Sequence, residues 1–269
     1  MKKSALLFAI LLTLPVAAPA ADVATFLELP DRFVIGGNSK GKWLESAQAG
    51  KAIKAGTTFR LFTLKGEKGK VTASKVAPEP DVCMEVWMAE LKEVSEDDDD
   101  AIGVSAPWNP MPRAVKSADT KQDVYVKAVS ELLSAQGIKN PVVKIKQLLR
   151  VDLDGDGEEE VLLSGTRYPS SDDENSAPNA ATAGSYSFVA LRRLQDGKVN
   201  TQIIEGEFYP KNMVFNAPNI YQVTGVLDLD GDGRMEIIIN SAYYEGGGTT
   251  VWKLGKIKLE KVMEIACGV

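Results

Sequence analysis

The sequence predicts a mainly β fold of repeated antiparallel sheets with one or two helices, on three observations. Residues 149–168, LRVDLDGDGEEEVLLSGTRY, recur without a gap at 225–244, so that Tyr168 answers Tyr244. Each copy passes from an acidic, glycine-rich turn into a short apolar run, VLLSG or EIIIN, bounded by Gly or Asn, which is the pattern of a buried strand. The first half adds RFVIGG, TFRLFTL, KVTASKV and VCMEVWMAEL, alternating or β-rich segments between charged and glycine-rich turns.

From the N-terminus, residues 1–21 read as a secretory signal peptide, with Lys2 and Lys3, an apolar run over 5–14, and cleavage after Ala20 or Ala21. That run is shorter than the ~20 residues of a membrane span, and no later stretch reaches that length, so no stable membrane insertion is expected. The expected location is periplasmic or secreted. Residues 22–116 form an N-terminal β-rich region, interrupted by a short helix, AQAGKAIKA, with Ser46 as its cap and Gly56 as its stop. SEDDDD at 95–100 lacks glycines that would fold its carboxylates inward and reads as a solvated turn. WNPMPR at 108–113 reads as a rigid, proline-bearing linker with Trp108 packed beneath it.

A connecting helix is expected within 117–140. Asp119 or Thr120 caps VYVKAVSELLSAQG, Val124, Ala128, Val129, Leu132 and Leu133 form its apolar face, and Gly137 ends it. Residues 141–269 hold the two repeats. SYSFVALRRL in the first answers TTVWKLGKIKL in the second, entered from Gly184 and Gly248, and QDGK at 195–198 is a hairpin turn. Only the first copy carries the polar insertion PSSDDENSAPNAATA, which has too little apolar surface to order itself.

The chemistry concentrates in the repeated turn. Counted from its first aspartate, each copy places carboxylates at positions 1, 3, 5 and 9: Asp152, Asp154, Asp156 and Glu160, then Asp228, Asp230, Asp232 and Glu236. Position 7, Glu158 or Arg234, offers its backbone carbonyl. Ca2+ takes six to eight oxygens at roughly 2.3 to 2.6 Å, which short carboxylates alternating along a tight turn supply. Glycines let the backbone wrap the ion at positive φ. Two calcium ions are expected, one per loop. An acidic turn without metal is the alternative, opposed by the mutual repulsion of carboxylates held this close. Mg2+, with its strict octahedral geometry, suits the pattern less. The loop is not an EF-hand, since position 12 is Leu163 or Ile239 rather than a bidentate Glu.

DLDGDG followed by two residues, an acid and a hydrophobic strand resembles the FG-GAP (VCBS-type) repeats of integrin-like β-propellers, mainly over residues 145–265. The resemblance implies the ligand role for the eight carboxylates and a propeller-like blade behind each loop. Neither an FG nor a GAP signature is present, and position 9 is Glu where the family has Asp. Two blades do not close a ring. Either the first half supplies degenerate blades, or the chain is a smaller two-region β assembly bearing DxDGDG loops.

Cys83 and Cys267, the two cysteines, predict one disulfide in an exported chain, with a pair of buried thiols as the alternative. A net charge of −6, more negative still once Lys2 and Lys3 are removed, and no basic stripe argue against nucleic acid as a partner. At 44% hydrophobic the chain is globular. It has no histidine, which excludes Ser/His and Cys/His nucleophile pairs and His-ligated zinc. Gly246–Gly248 lacks a following helix and a P-loop lysine and reads as a hairpin turn. The expected function is a calcium-binding, non-catalytic binding or interaction module for a protein or glycan, with Tyr168, Tyr243, Tyr244 and Glu245 as contact residues. A secreted hydrolase using carboxylates, with calcium as support, is the alternative.

Overall fold

The computed structural model describes residues 23–92, 94, 100–169, 171, 176–195, 197–255 and 258–268. The expected signal peptide and residues 95–99 of the acidic run lie outside them. The first region contributes β1 (Ala24–Glu28), β2 (Val34–Ser39), β3 (Lys42–Glu45), α1 (Ser46–Ala52), β4 (Thr58–Thr63), β5 (Gly66–Pro78), β6 (Trp87–Lys92) and β7 (Ile102–Val104). Its strands form one antiparallel sheet of seven, in the order β3-β2-β1-β7-β4-β5-β6. The sheet curls as a half-barrel until Phe33, just before β2, bridges Met88 of β6. Inside the curl, Ala49 of α1 and Ile53, which caps its C-terminus, pack with Leu27, Phe59, Leu61 and Val71. Ser46 does not cap α1. Its hydroxyl accepts the Trp87 N–H at 2.9 Å, and the helix starts after Glu45, whose N–H donates to Gln48 Oε1 at 3.4 Å.

The second region contains β8 (Lys116–Ser117), α2 (Asp123–Ala135), β9 (Ile145–Val151), β10 (Glu160–Arg167), β11 (Ser185–Gln195) and β12 (Lys198–Tyr209), then β13 (Ile220–Leu227), β14 (Glu236–Tyr243), β15 (Gly246–Leu254) and β16 (Leu259–Gly268). They make a five-stranded sheet, β12-β11-β10-β9-β8, and a four-stranded sheet, β13-β14-β15-β16. α2 starts after Gln122 rather than at Asp119, whose carboxylate instead accepts the Lys121 N–H at 2.9 Å. Val129 and Leu133 of α2 pack on Leu148, Leu163 and Phe188, whereas Val124 is exposed.

Side-chain alternation explains the apolar runs, because both repeat sheets are covered on two faces. Leu149, Leu162 and Val189 meet Val226, Ile237 and Ile239 between the five- and four-stranded sheets. Ile238, Val251 and Ile265, on the other face of the four-stranded sheet, meet Phe26, Ile35 and Ile102 of the curled sheet. The order of layers is therefore α2, five-stranded, four-stranded, curled sheet with α1. The mainly β class and the repeated antiparallel sheets stand, and the arrangement is the smaller two-region assembly: the first half is one curled sheet rather than a series of blades.

Further expectations resolve in this frame. Cys83, between β5 and β6, is bonded to Cys267 of β16, with the two Cα atoms 5.5 Å apart. Arg192 lies opposite Val161 and Trp252 opposite Ile237, so Tyr244 stands level with Gly184, and the sequence match of Gly184 to Gly248 is out of register. Residues 170 and 172–175 of the insertion lie outside the described residues; its last residues are held by polar contacts, Asn212 and Asn216 accepting the Ala183 and Ala181 N–H groups at 2.8 and 3.0 Å, and Ala181 is buried. The QDGK hairpin pairs Gln195 with Lys198 as expected. Among the described residues, no helix is long and apolar enough to cross a membrane.

Candidate metal centre

Each acidic loop joins the first two strands of its repeat and folds on its own aspartates. In the first, Asp152 accepts the N–H groups of Gly155 (2.6 Å) and Gly157 (3.1 Å), and both glycines have positive φ, 81° and 94°. In the second, Asp228 accepts from Gly231 (2.7 Å) and Gly233 (3.0 Å). The position-9 acid closes each turn from the following strand, Glu160 accepting the Leu153 N–H and Glu236 the Leu229 N–H, each at 2.8 Å.

This folding brings together positions 1, 3 and 9. One carboxylate oxygen from each of Asp152, Asp154 and Glu160 lies within 4.8 Å of the others, and likewise for Asp228, Asp230 and Glu236. Position 5 instead braces the backbone of its own loop. Asp156 accepts the Glu158 N–H at 2.8 Å and Asp232 the Arg234 N–H at 2.9 Å. Glu158 is exposed, whereas the Arg234 side chain reaches across to Asp154 Oδ2 at 3.3 Å.

The electrostatics are those of an acidic site short of positive charge. Asp154 Oδ1 and Glu236 Oε1 are buried without a hydrogen-bond partner among the described residues. Burial pushes Glu236 up to about 8, against the opposing pull of the Leu229 N–H and Lys253. Burial likewise raises Glu160 and Asp228 above the usual carboxylate range. Asp232 moves the other way: burial opposes its charge, but the Lys253 ammonium and the Arg234 N–H outweigh it. A hard cation fits such a donor set, since it supplies the charge these oxygens lack and takes carboxylates as its preferred ligands.

The linker at 108–113 fastens the two loops to each other. Trp108 donates its indole N–H to the Asp228 carbonyl at 2.9 Å, and the Asp228 N–H donates to the Pro110 carbonyl at 2.7 Å. The Arg113 guanidinium donates to the carbonyls of Leu153 (3.0 Å) and Gly233 (2.8 Å), one in each loop, and to the carbonyl of Asp152. The Met235 N–H joins them again through the Leu153 carbonyl at 2.8 Å. Sequence reasoning does not assign Arg113, Trp108 or Lys253 to the loops. Their only sequence signals are an arginine closing a rigid linker and a lone lysine in the apolar run TTVWKL.

The expected contact residues separate. Tyr168 is buried, with its hydroxyl donating to the Asn219 carbonyl at 2.6 Å. Tyr244 is 39% exposed, and its ring meets those of Tyr243 and Phe215 edge-on at 6.0 and 5.9 Å. Glu245 is exposed beside it, and so is Phe215. This patch lies at the end of β14 remote from the loop, roughly 25 Å along the strand at about 3.4 Å per residue. Fold and site together define a mainly β protein with paired acidic loops, cross-linked by one disulfide. No family model matches the chain, and comparison with curated proteins and with solved structures gives no match.

Proposed function

We propose that the protein is an exported, calcium-stabilised β-repeat module without chemistry of its own, whose acidic loops work as those of FG-GAP repeats do. The observation that carries this reading is the convergence of three carboxylates in each loop, together with the buried oxygens Asp154 Oδ1 and Glu236 Oε1, which accept no hydrogen bond among the described residues. Ca2+ bound there gathers the loop oxygens and offsets their repulsion, and so holds the two repeat sheets and the linker in place. The Cys83–Cys267 disulfide supports an oxidising location. The patch of exposed Tyr244, Glu245 and Phe215 with the half-buried Tyr243 is the binding surface for a protein or glycan, and its distance from the loops makes the ions architectural rather than ligand-bridging.

The hydrolase reading calls for convergent carboxylates outside the loops. Among the described residues, the further grouping of potential ligands is Glu79 with Cys83 and Cys267, and its sulfurs are bonded to each other. Thermal unfolding in EGTA and in millimolar calcium tests the proposal. Binding to the native state alone adds about 2.7 kcal/mol at a hundredfold excess over Kd. A calcium-dependent rise that Asp154→Ala reduces is expected, and no rise in the wild type refutes it.

A further inference from the structure

We infer that Lys253 is the resident cation of the second loop, a tethered ammonium that a divalent ion has to displace, so that the two loops take up calcium unequally. The first fills at low concentration and the second only at high concentration. This rests on the calcium reading above and adds a regulator to it.

The ammonium sits where the acids of the second loop converge. Its Nζ donates to Asp230 Oδ2, lies 2.7 Å from Asp232 Oδ2, and is 3.7 Å from Glu236 Oε1. Glu236 is fully buried, and the oxygen facing the lysine is the one without a hydrogen bond. The backbone fixes this placement. Ile237 pairs with Trp252 and Ile238 with Val251, so the register brings Lys253 level with Glu236 at the mouth of the loop. The Lys253 side chain is only 22% exposed. It is therefore a built-in part of the loop rather than a passing surface charge.

The first loop has no equivalent among the described residues. Its basic neighbour Arg234 touches a single acid, Asp154, through Oδ2 at 3.3 Å, and leaves Oδ1 buried and unpartnered. Arg113 stands 3.9 Å from Asp152 Oδ1 and spends its donors on backbone carbonyls. The residue level with Lys253 in the first copy is Arg193, a planar fork rather than a compact point charge. A cation entering the first loop thus meets an unpartnered oxygen, whereas one entering the second competes with a donor already bound to two acids. Because that competitor is part of the chain, its effective concentration does not fall on dilution. At low calcium the second loop and its contacts with Trp108 stay folded on the lysine.

Calorimetric calcium titration of the disulfide-bonded wild type, Lys253→Met, Asp154→Ala and Asp230→Ala tests this. The wild type is expected to show one tight site, lost in Asp154→Ala and retained in Asp230→Ala. Lys253→Met is expected to gain a second site tightened by about ten- to hundredfold, the value of a charge-assisted contact. Two wild-type sites of similar affinity, unchanged in Lys253→Met, would overturn the inference and leave the calcium reading intact. No binding by any protein removes both. Should Lys253→Met not fold, amine acetylation of the wild type gives a second readout by mass spectrometry. Labelling of Lys253 is expected to rise at least about tenfold as the weak site fills, and labelling that calcium leaves unchanged would refute displacement.

Discussion

Glu28→Gln is predicted to stabilise the protein at neutral and alkaline pH while leaving it unchanged in mild acid. Glu28 ends β1 on the face turned toward the four-stranded sheet, is 8% exposed, and accepts the hydroxyl of Thr249 from β15. Burial, helped by Asp31 and opposed by Thr249, pushes its carboxyl from 4.5 up to about 7. A raised carboxyl holds its proton more tightly in the native state than in the unfolded chain. Its contribution is therefore complete below pH 4.5, declines as pH rises toward 7, and is flat beyond. Across that window the loss is about 3 kcal/mol. Glutamine accepts the same hydroxyl and does not titrate. Chemical unfolding of both proteins from pH 5 to 8 without calcium is expected to give similar values at pH 5 and a variant more stable by about 3 kcal/mol at pH 8. Parallel curves over that range, or a variant less stable at pH 8, would refute the assignment.

Two further outcomes are expected. Replacing Cys83 and Cys267 by serine opens a cross-link spanning 184 residues, for which chain entropy gives an upper loss of about 5 kcal/mol; a denaturant midpoint that barely moves would contradict it. At Gly50 two effects compete: alanine favours a helix by about 1 kcal/mol, but its Cβ would lie 2.5 Å from the Trp87 ring. Overpacking of about 1 to 3 kcal/mol wins, so Gly50→Ala is expected to lower Tm and shift tryptophan fluorescence, and a raised Tm would show that Trp87 yields.

The parts of the fold legible in the sequence were those governed by local pattern. VLLSG and EIIIN announce strands because both of their faces are covered, and the DxDGDG spacing carries the loop because its hydrogen bonds run over two to seven residues. Long-range register was not legible. Lys253 reaches the second loop only because β15 pairs with β14 as it does, and matching glycine to glycine slid that strand out of place. The curled sheet was hidden for a similar reason, since β7 follows β6 in the chain yet lies between β1 and β4. Arg113 and Trp108 act through backbone carbonyls distant in sequence, which no side-chain pattern reports. Ser46 and Asp119 looked like helix caps, and tertiary partners claimed the first.

The sheet that comes last in the chain is the one in the middle of the molecule. Its two faces cover Phe26, Ile35 and Ile102 of the curled sheet and Leu149, Leu162 and Val189 of the five-stranded sheet. Strands β13 to β16 cover both faces, and β16 carries the Cys267 that is bonded to Cys83 of the first region. A chain lacking everything from residue 220 on would therefore lose the cover of two apolar faces at once, not of one.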